Sequence, residues 1–247
     1  NTAERKHAEL SAESIEKDAV KMKNRYFEGK DFGNGEFKAL MPQYYPPKYK
    51  RYIKEEAELL KKKVIGAHRI LEAGVGIGRL IPILAPNVKE FVGIDNADLM
   101  LKKSSEIARK FDNVKIIERD LGNISALFPP KYFDYSLCVW NTLGNVKDEV
   151  KVLQELAKVT KKSIFITVYH KGTLEERDGW YKKVGVKISK VDKEKEIFYS
   201  ESGLKSKSYN IKDIGKIAKG AHLQIRDFRI LGGVILWNTF DHATRDV

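Results

Sequence analysis

The chain has 247 residues, 42% of them hydrophobic, with 46 lysines and arginines against 34 acids and a formal net charge of +12. That length suits one large α/β domain with an insertion, or two small domains, and the apolar share can fill a proper core. No apolar run reaches the roughly 18 residues of a membrane span, and the charged start lacks the apolar stretch of a signal peptide. Cys138 is the only cysteine, which excludes an intrachain disulfide framework and suits a reducing, cytoplasmic setting with no membrane partner. The basic residues are spread out, as in Lys61-Lys62-Lys63, Lys102-Lys103, Lys161-Lys162 and Lys182-Lys183. Most read as solvated helix faces or loop ends, in a lysine- and glutamate-rich composition of the kind hyperthermophile proteins use. A concentrated nucleic-acid patch ranks behind that reading.

Residues 4–24 predict a charged helix with a weak apolar stripe of Leu10, Ile15, Ala19 and Met22. A loop with Gly29, Gly33 and Gly35 leads to Met41-Pro42-Gln43-Tyr44-Tyr45-Pro46-Pro47, where the double proline bars a helix interior. Lys48 to Lys63 predicts a helix with Tyr52, Ala57, Leu59 and Leu60 on or near one face. From residue 69 to about 169, strands at 69–73, 90–94, 114–118, 133–139 and 163–169 alternate with helices at 78–85, 97–111 and 147–159. Such alternation implies a parallel sheet covered by helices on both faces. Pro82 falls in a first helical turn, which tolerates it. Asp98 near the start of the second helix, with Arg109 and Lys110 near its end, follows the helix dipole. Cys138 falls in a predicted buried strand, as a small core residue. Beyond residue 169 the pattern predicts a helix over 174–184 and a small antiparallel insertion with strands at 186–191, 196–200 and 204–209. A helix over 211–219 and strands at 223–231 and 234–240 close the chain. Gly232-Gly233 between those last strands is a hairpin signal. The expected division is a helical segment over 1–64 and one α/β domain over 65–247, with the insertion at about 171–210.

The first strand runs into Ile70-Leu71-Glu72-Ala73-Gly74-Val75-Gly76-Ile77-Gly78-Arg79. An apolar run ends in an acid, and three glycines follow at every second position. Glycine suits a loop that a ligand approaches closely, having no Cβ and accepting positive φ. The dinucleotide fingerprint G-x-G-x-x-G would need a glycine where Arg79 stands, which disfavours NAD. No G-K-[ST] follows, so this is no phosphate-binding P-loop. About 20 residues beyond Gly74, Phe91-Val92-Gly93-Ile94-Asp95 ends in a second acid, where an α/β nucleotide fold puts a carboxylate on ribose hydroxyls. Val114-Lys115-Ile116-Ile117-Glu118-Arg119-Asp120-Leu121 and Phe133-Asp134-Tyr135-Ser136-Leu137-Cys138-Val139-Trp140-Asn141 supply the third and fourth strand ends.

These four elements, in this order and spacing, resemble the class I S-adenosylmethionine (SAM)-dependent methyltransferases over residues 65–240. The resemblance implies a Rossmann-like, seven-stranded, mostly parallel sheet whose last strand runs antiparallel, helices on both faces, an N-terminal helical segment and the antiparallel insertion. It implies SAM as cofactor and S-adenosylhomocysteine as product. Glu72, Gly74, Gly76 and Gly78 would hold the methionine part, Asp95 with Asn96 the ribose, and Asp120 the adenine, with Leu121 and Trp140 flanking. In many small-molecule methyltransferases the segment corresponding to 1–64 closes over the cofactor.

Ligands of open α/β sheets bind at the carboxyl ends of the strands, which directs attention to Trp140-Asn141-Thr142-Leu143-Gly144-Asn145. The loop lacks the N/D/S-P-P-Y/F/W motif of methyltransferases acting on exocyclic amino groups of bases or on glutamine amides. It resembles instead the Asn-Ser-Phe-like stretch of small-molecule N-methyltransferases typified by glycine N-methyltransferase. Asn141 is a catalytic candidate, or a loop cap. His170, ending the fifth strand, is a candidate base or substrate partner, or a structural histidine. Arg177 and Tyr181, at i and i+4, share a helix face and either bind a substrate carboxylate or phosphate or pack on the core. Tyr44 and Tyr45 either cover the adenine, cage an ammonium or anchor the loop, with Tyr45 also a catalytic candidate. His7, His68, His170, His222 and His242 show no metal-ligand spacing. The expected partner is a small-molecule methyl acceptor, methylated at nitrogen. RNA and protein acceptors rank next, and a non-catalytic SAM- or nucleotide-binding protein is the reading from a different class.

Overall fold

A computed structural model describes residues 35–243. The helix expected over 4–24 lies outside the described residues. In chain order the elements are α1 (Gly35–Lys38), α2 (Pro47–Val64), β1 (Arg69–Ala73), α3 (Ile81–Leu84), β2 (Glu90–Asp95), α4 (Asp98–Ala108), β3 (Val114–Glu118), β4 (Phe133–Cys138), α5 (Thr142–Asn145), α6 (Glu149–Val159), β5 (Thr160–His170), α7 (Leu174–Val184), β6 (Ile188–Asp192), β7 (Ile197–Ser200), β8 (Lys205–Tyr209), α8 (Ile211–Gly220), β9 (Leu223–Leu231) and β10 (Ile235–His242). Short 3-10 segments add to these at Pro42–Tyr44, at Ala85–Asn87 and, kinked at Asn123, over Leu121–Ala126.

The main sheet runs β3-β2-β1-β4-β5-β10-β9. Its first five strands are parallel. β10 runs antiparallel between β5 and β9, as the terminal hairpin predicts. Strands β6, β7 and β8 form the antiparallel insertion. It joins the main sheet only where Tyr169 and His170 pair in parallel with Ser208 and Tyr209. The main sheet thus has the seven strands the resemblance implies, and the insertion extends the continuous sheet to ten.

Side-chain alternation along the strands divides the core in two. Ile70, Phe91, Leu137, Phe165 and Trp237 face α2, α3 and α7. Their neighbours Leu71, Val92, Cys138, Ile166 and Leu236 face α6 and α8. Cys138 is buried, as expected for a core residue. Among the described residues no helix is long and apolar enough to cross a membrane.

Some boundaries move for local reasons. The helix expected over 78–85 keeps only Ile81–Leu84. Gly78 has φ +79°, and Pro86, lacking an N–H, breaks the ladder. β5 begins at Thr160, pairing it with Phe133, because Lys161 and Lys162 are exposed lysines on a strand. α6 starts at Glu149, where the Asp148 carboxylate caps it by accepting from the Lys151 N–H at 2.9 Å. In α2 the buried stripe is Tyr49, Tyr52, Glu56, Leu60 and Val64. A carboxylate thus sits in mid-stripe, while Ala57 and Leu59 are only half-buried.

Candidate active site

The loop after β1 crosses the sheet's carboxyl edge with Gly74, Gly76 and Gly78 at φ +77°, +54° and +79°. Their tasks differ. A Cβ on Gly74 would strike the Thr142 side chain at 2.4 Å, and one on Gly78 would meet Ile81 Cδ1 at 2.9 Å and the Ser104 Cα at 3.1 Å. A Cβ on Gly76 would meet nothing within 4 Å. The outer glycines let the loop seat closely, while the middle one leaves open the floor of a cavity of about 410 Å³.

That cavity is lined by Glu72, Gly74, Gly76, Asp95, Asn96, Asp120, Leu121 and Trp140. Gly78 is not on its wall. At the end of β2, Asp95 is aimed by three backbone donors. Its Oδ2 accepts from the Gly76 N–H at 2.9 Å, and its Oδ1 accepts from those of Asn96 (2.9 Å) and Ala97 (3.1 Å). Burial raises its pKa against the pull of those hydrogen bonds. Asp120 is held by the Gly122 N–H at 2.8 Å.

Glu72 is almost fully buried, and its Oε2 has no hydrogen-bond partner. Burial pushes its pKa from 4.5 to about 8, although the Arg79 charge pulls the other way. Arg79, also on the cavity wall, pairs through Nη2 with the buried Glu56 of α2, while its Nη1 is buried without a partner. Burial alone would lower the guanidinium pKa; Glu56 more than offsets this and keeps the charge. Glu56 also accepts from the hydroxyls of Tyr52 and of Thr167, the latter at 2.9 Å. The Thr167 hydroxyl oxygen in turn accepts from the Trp140 N–H at 2.8 Å. One carboxylate on α2 therefore links the glycine loop, β5 and the loop after β4. This network was missed from sequence, although a glutamate four residues from both Tyr52 and Leu60 on one helix face was its available signal.

Trp140 and Asn141 both take left-handed backbone angles, φ +54° and +61°, a conformation that non-glycine residues keep only where surroundings enforce it. Thr167 holds both backbones: its hydroxyl accepts from the Trp140 N–H and its carbonyl from the Asn141 N–H at 2.9 Å, while Asn141 Oδ1 accepts from the Tyr169 N–H at 3.1 Å. Trp140 is thereby set among rings of the N-terminal segment and α7, stacked on Tyr52 at a centroid distance of 5.3 Å, with Tyr45, Tyr49 and Trp180 around it at 5.0–6.2 Å.

A second cavity, about 40 Å³, adjoins the first and shares Leu40, Trp140 and Asn145 with it. Tyr181 and Asn141 lie on its wall. The Asn141 amide is committed to Tyr169, Asn145 and Ser206. Tyr45 lines the larger cavity, and its hydroxyl donates to the Leu40 carbonyl at 2.6 Å; burial raises its pKa to about 12. His170, Tyr44 and Arg177 line neither cavity. The Tyr44 ring is partly exposed and its carbonyl accepts from the Trp180 indole at 3.1 Å. Arg177 is fully buried beneath the insertion. Leu40, Met100, Thr142, Asn145, Lys147 and Lys151 also line the main cavity and carried no motif to mark them.

The donor set fits an S-adenosyl amino acid. Glu72 and Arg79, on one cavity wall, bring an unpartnered carboxylate oxygen and an unpartnered guanidinium nitrogen that suit an ammonium and a carboxylate, and the oriented Asp95 suits a diol. No curated protein matches the chain. Among solved structures, it is similar to the PH0226 protein from Pyrococcus horikoshii OT3 (21% identity over 84% of this chain and 98% of that one, TM-score 0.65). It is also similar to the Burkholderia thailandensis 1,6-didemethyltoxoflavin-N1-methyltransferase, solved with its substrate and S-adenosylhomocysteine (13%, 78% and 79%, 0.60). A third is the magnesium protoporphyrin IX methyltransferase of Synechocystis PCC 6803, solved with S-adenosylhomocysteine (14%, 79% and 84%, 0.57). At these identities the likeness carries the fold. A family model described as a methyltransferase domain matches residues 66–219, well over half of the chain, and with the site geometry it shows that the chain belongs to the class I SAM-dependent methyltransferase family.

Proposed function

We propose that this enzyme methylates a small molecule at nitrogen. SAM supplies a methyl group activated by its sulfonium, so the protein's part is to bind, align and keep water out. In this reading Glu72 faces the methionine ammonium, Arg79 Nη1 its carboxylate, Asp95 with Asn96 the ribose hydroxyls and Asp120 the adenine, between Leu121 and Trp140.

The observation that carries the small-molecule reading is the roofed acceptor side. The second cavity meets the first at Leu40, Trp140 and Asn145, under residues of the N-terminal segment. Residues 35–64 act as the cover in this account. A volume of this size suits a small ligand buried on most sides. Nitrogen is favoured because the candidate bases do not reach the task. His170 lines neither cavity, the Tyr45 phenol is held protonated up to about pH 12, and the amide of Asn141 is no base. A neutral amine or ring nitrogen brings its own lone pair and needs none.

The test is transfer of labelled methyl from SAM to a panel of small amines and ring nitrogens, with bulk RNA and protein extract in parallel. Label in small products supports the proposal. Label in RNA or protein alone overturns the acceptor class, and cofactor binding without transfer to any of them favours a non-catalytic binding protein.

A further inference from the structure

Behind the second cavity lies a buried cation held by neutral groups. Arg177 donates to the Ser206 carbonyl and hydroxyl (both 3.2 Å), the Glu196 carbonyl (2.9 Å) and the Ser208 hydroxyl (2.6 Å). Its guanidinium carbon sits 4.8 Å from the ring centroids of both Tyr169 and Phe198. It is fully buried, and each of its four hydrogen bonds goes to a neutral carbonyl or hydroxyl oxygen. A buried charge of this kind calls for compensation, and the hydroxyls in front of it show where that compensation is directed.

The hydrogen positions follow from valence. The Asn141 Oδ1 takes a backbone N–H, so its Nδ2 is a donor, and it reaches the Ser206 hydroxyl oxygen at 3.4 Å. Arg177 is a donor of necessity. Ser206 Oγ therefore accepts twice, and its one hydrogen goes to the Tyr181 hydroxyl 2.9 Å away. The Tyr181 oxygen accepts that hydrogen, which leaves the Tyr181 phenolic hydrogen for another acceptor. Tyr169, Tyr181 and Ser206 all stand on the wall of the second cavity. The nearby Tyr49 hydroxyl is buried without a partner, a second unsatisfied donor beside the same rings.

We propose that the second cavity anchors an anionic oxygen of the methyl acceptor, which makes the substrate class a small amine or ring-nitrogen compound carrying a carboxylate or an equivalent anionic oxygen. Arg177 does not touch the ligand; it is a positioning residue that polarises Ser206 and Tyr181. The cavity's size agrees, since about 40 Å³ holds roughly three small heavy atoms, and a carboxylate has three. Trp140, shared by both cavities, offers the attached ring a flat wall on the larger cavity's side. Glu36, the acid on this wall, is engaged by the Ser202 hydroxyl at 2.5 Å. This inference rests on the small-molecule reading above.

The experiment uses three isosteric probes: benzoate (anionic), benzamide (neutral) and benzamidine (cationic at neutral pH). Their binding to the full chain is followed by ligand-observed NMR with and without S-adenosylhomocysteine. Benzoate is expected to bind at least about tenfold more tightly than benzamidine. Tyr181→Phe and Ser206→Ala should each weaken benzoate about fivefold or more, on the scale of one hydrogen bond to a charged group, with S-adenosylhomocysteine affinity unchanged. Benzamidine binding as tightly as benzoate, no benzoate binding at millimolar concentration, or both variants binding benzoate like the parent would each overturn the proposal. Benzoate selectivity that persists while S-adenosylhomocysteine fails to bind would instead sink the cofactor reading alone.

Discussion

Glu72 shows what a binding site costs the ligand-free protein. Its carboxyl is pushed to about 8 by burial, so the folded protein holds a proton there that the unfolded chain releases near pH 4.5. Stability from this group is complete below that value and is lost as pH climbs toward 8, by roughly 3–5 kcal/mol. Glu72→Gln removes the titration. The gap in melting temperature between variant and parent should therefore shift in the variant's favour between pH 5 and pH 8, as thermal unfolding at both pH values would register. A constant gap would mean that Glu72 is not the buried acid described. The same variant should bind S-adenosylhomocysteine more weakly and lose the parent's gain in affinity toward pH 8, because the ammonium needs the ionised partner. Asp95 belongs to the same scale. Asp95→Ala should weaken S-adenosylhomocysteine by about 1.5–3 kcal/mol, the range for hydrogen bonds to a charged group, and unchanged affinity would remove it from the ribose. The acids at the strand ends were legible because an apolar run stopping at a carboxylate is a local pattern. Arg79 was legible only as a missing glycine. Its pairing with Glu56 joins residues 23 positions apart through tertiary packing, which no local period encodes.

At the scale of elements, the glycine loop and α2 make separable predictions. Gly78→Ala places a Cβ against the Ser104 backbone at positive φ, so it should lower stability by about 1–3 kcal/mol in denaturant titration. Gly76→Ala has free space around its Cβ and should cost about 1 kcal/mol of backbone strain, yet weaken cofactor binding more than Gly78→Ala does relative to its stability loss. The reverse ranking would mean the open floor beneath Gly76 is not where the ligand lies. In α2, Glu56→Gln strips the buried Arg79 of its counter-charge, and removal of one partner of such a pair typically costs about 3–5 kcal/mol. A loss under 1 kcal/mol would show that Arg79 finds another partner. The helices and strands themselves were largely readable from period and turn residues: α7 spans the predicted 174–184, and Gly232-Gly233 does join the last two strands, with φ +58° and +77°. α3 was overextended because Gly78 and Pro86 act through backbone geometry, not through the apolar pattern. In the left-handed pair Trp140-Asn141, asparagine tolerates that region but Trp140 carried no sequence signal, since Thr167 across the sheet holds it there.

For the whole molecule, the parallel order β3-β2-β1-β4-β5 brings the carboxyl ends of β1, β2 and β4 to one edge, and the terminal hairpin completes the sheet beside β5. The ends of β1 and β2 and the loop after β4 meet at one cavity. The order and spacing of the motifs made that architecture legible. The second cavity was legible only in part, through Trp140, Asn141 and Tyr181, because the rest of its wall comes from residues far apart in the chain: Leu40 ahead of β1, Asn145 after β4 and Ser206 in the insertion. The central claim is that the site beneath Gly76 takes an S-adenosyl amino acid. It is tested most directly by calorimetric titration of the protein with S-adenosylhomocysteine, with NAD as the control. Micromolar binding of S-adenosylhomocysteine and none of NAD is the expected outcome; binding of NAD instead, or of neither, would refute it.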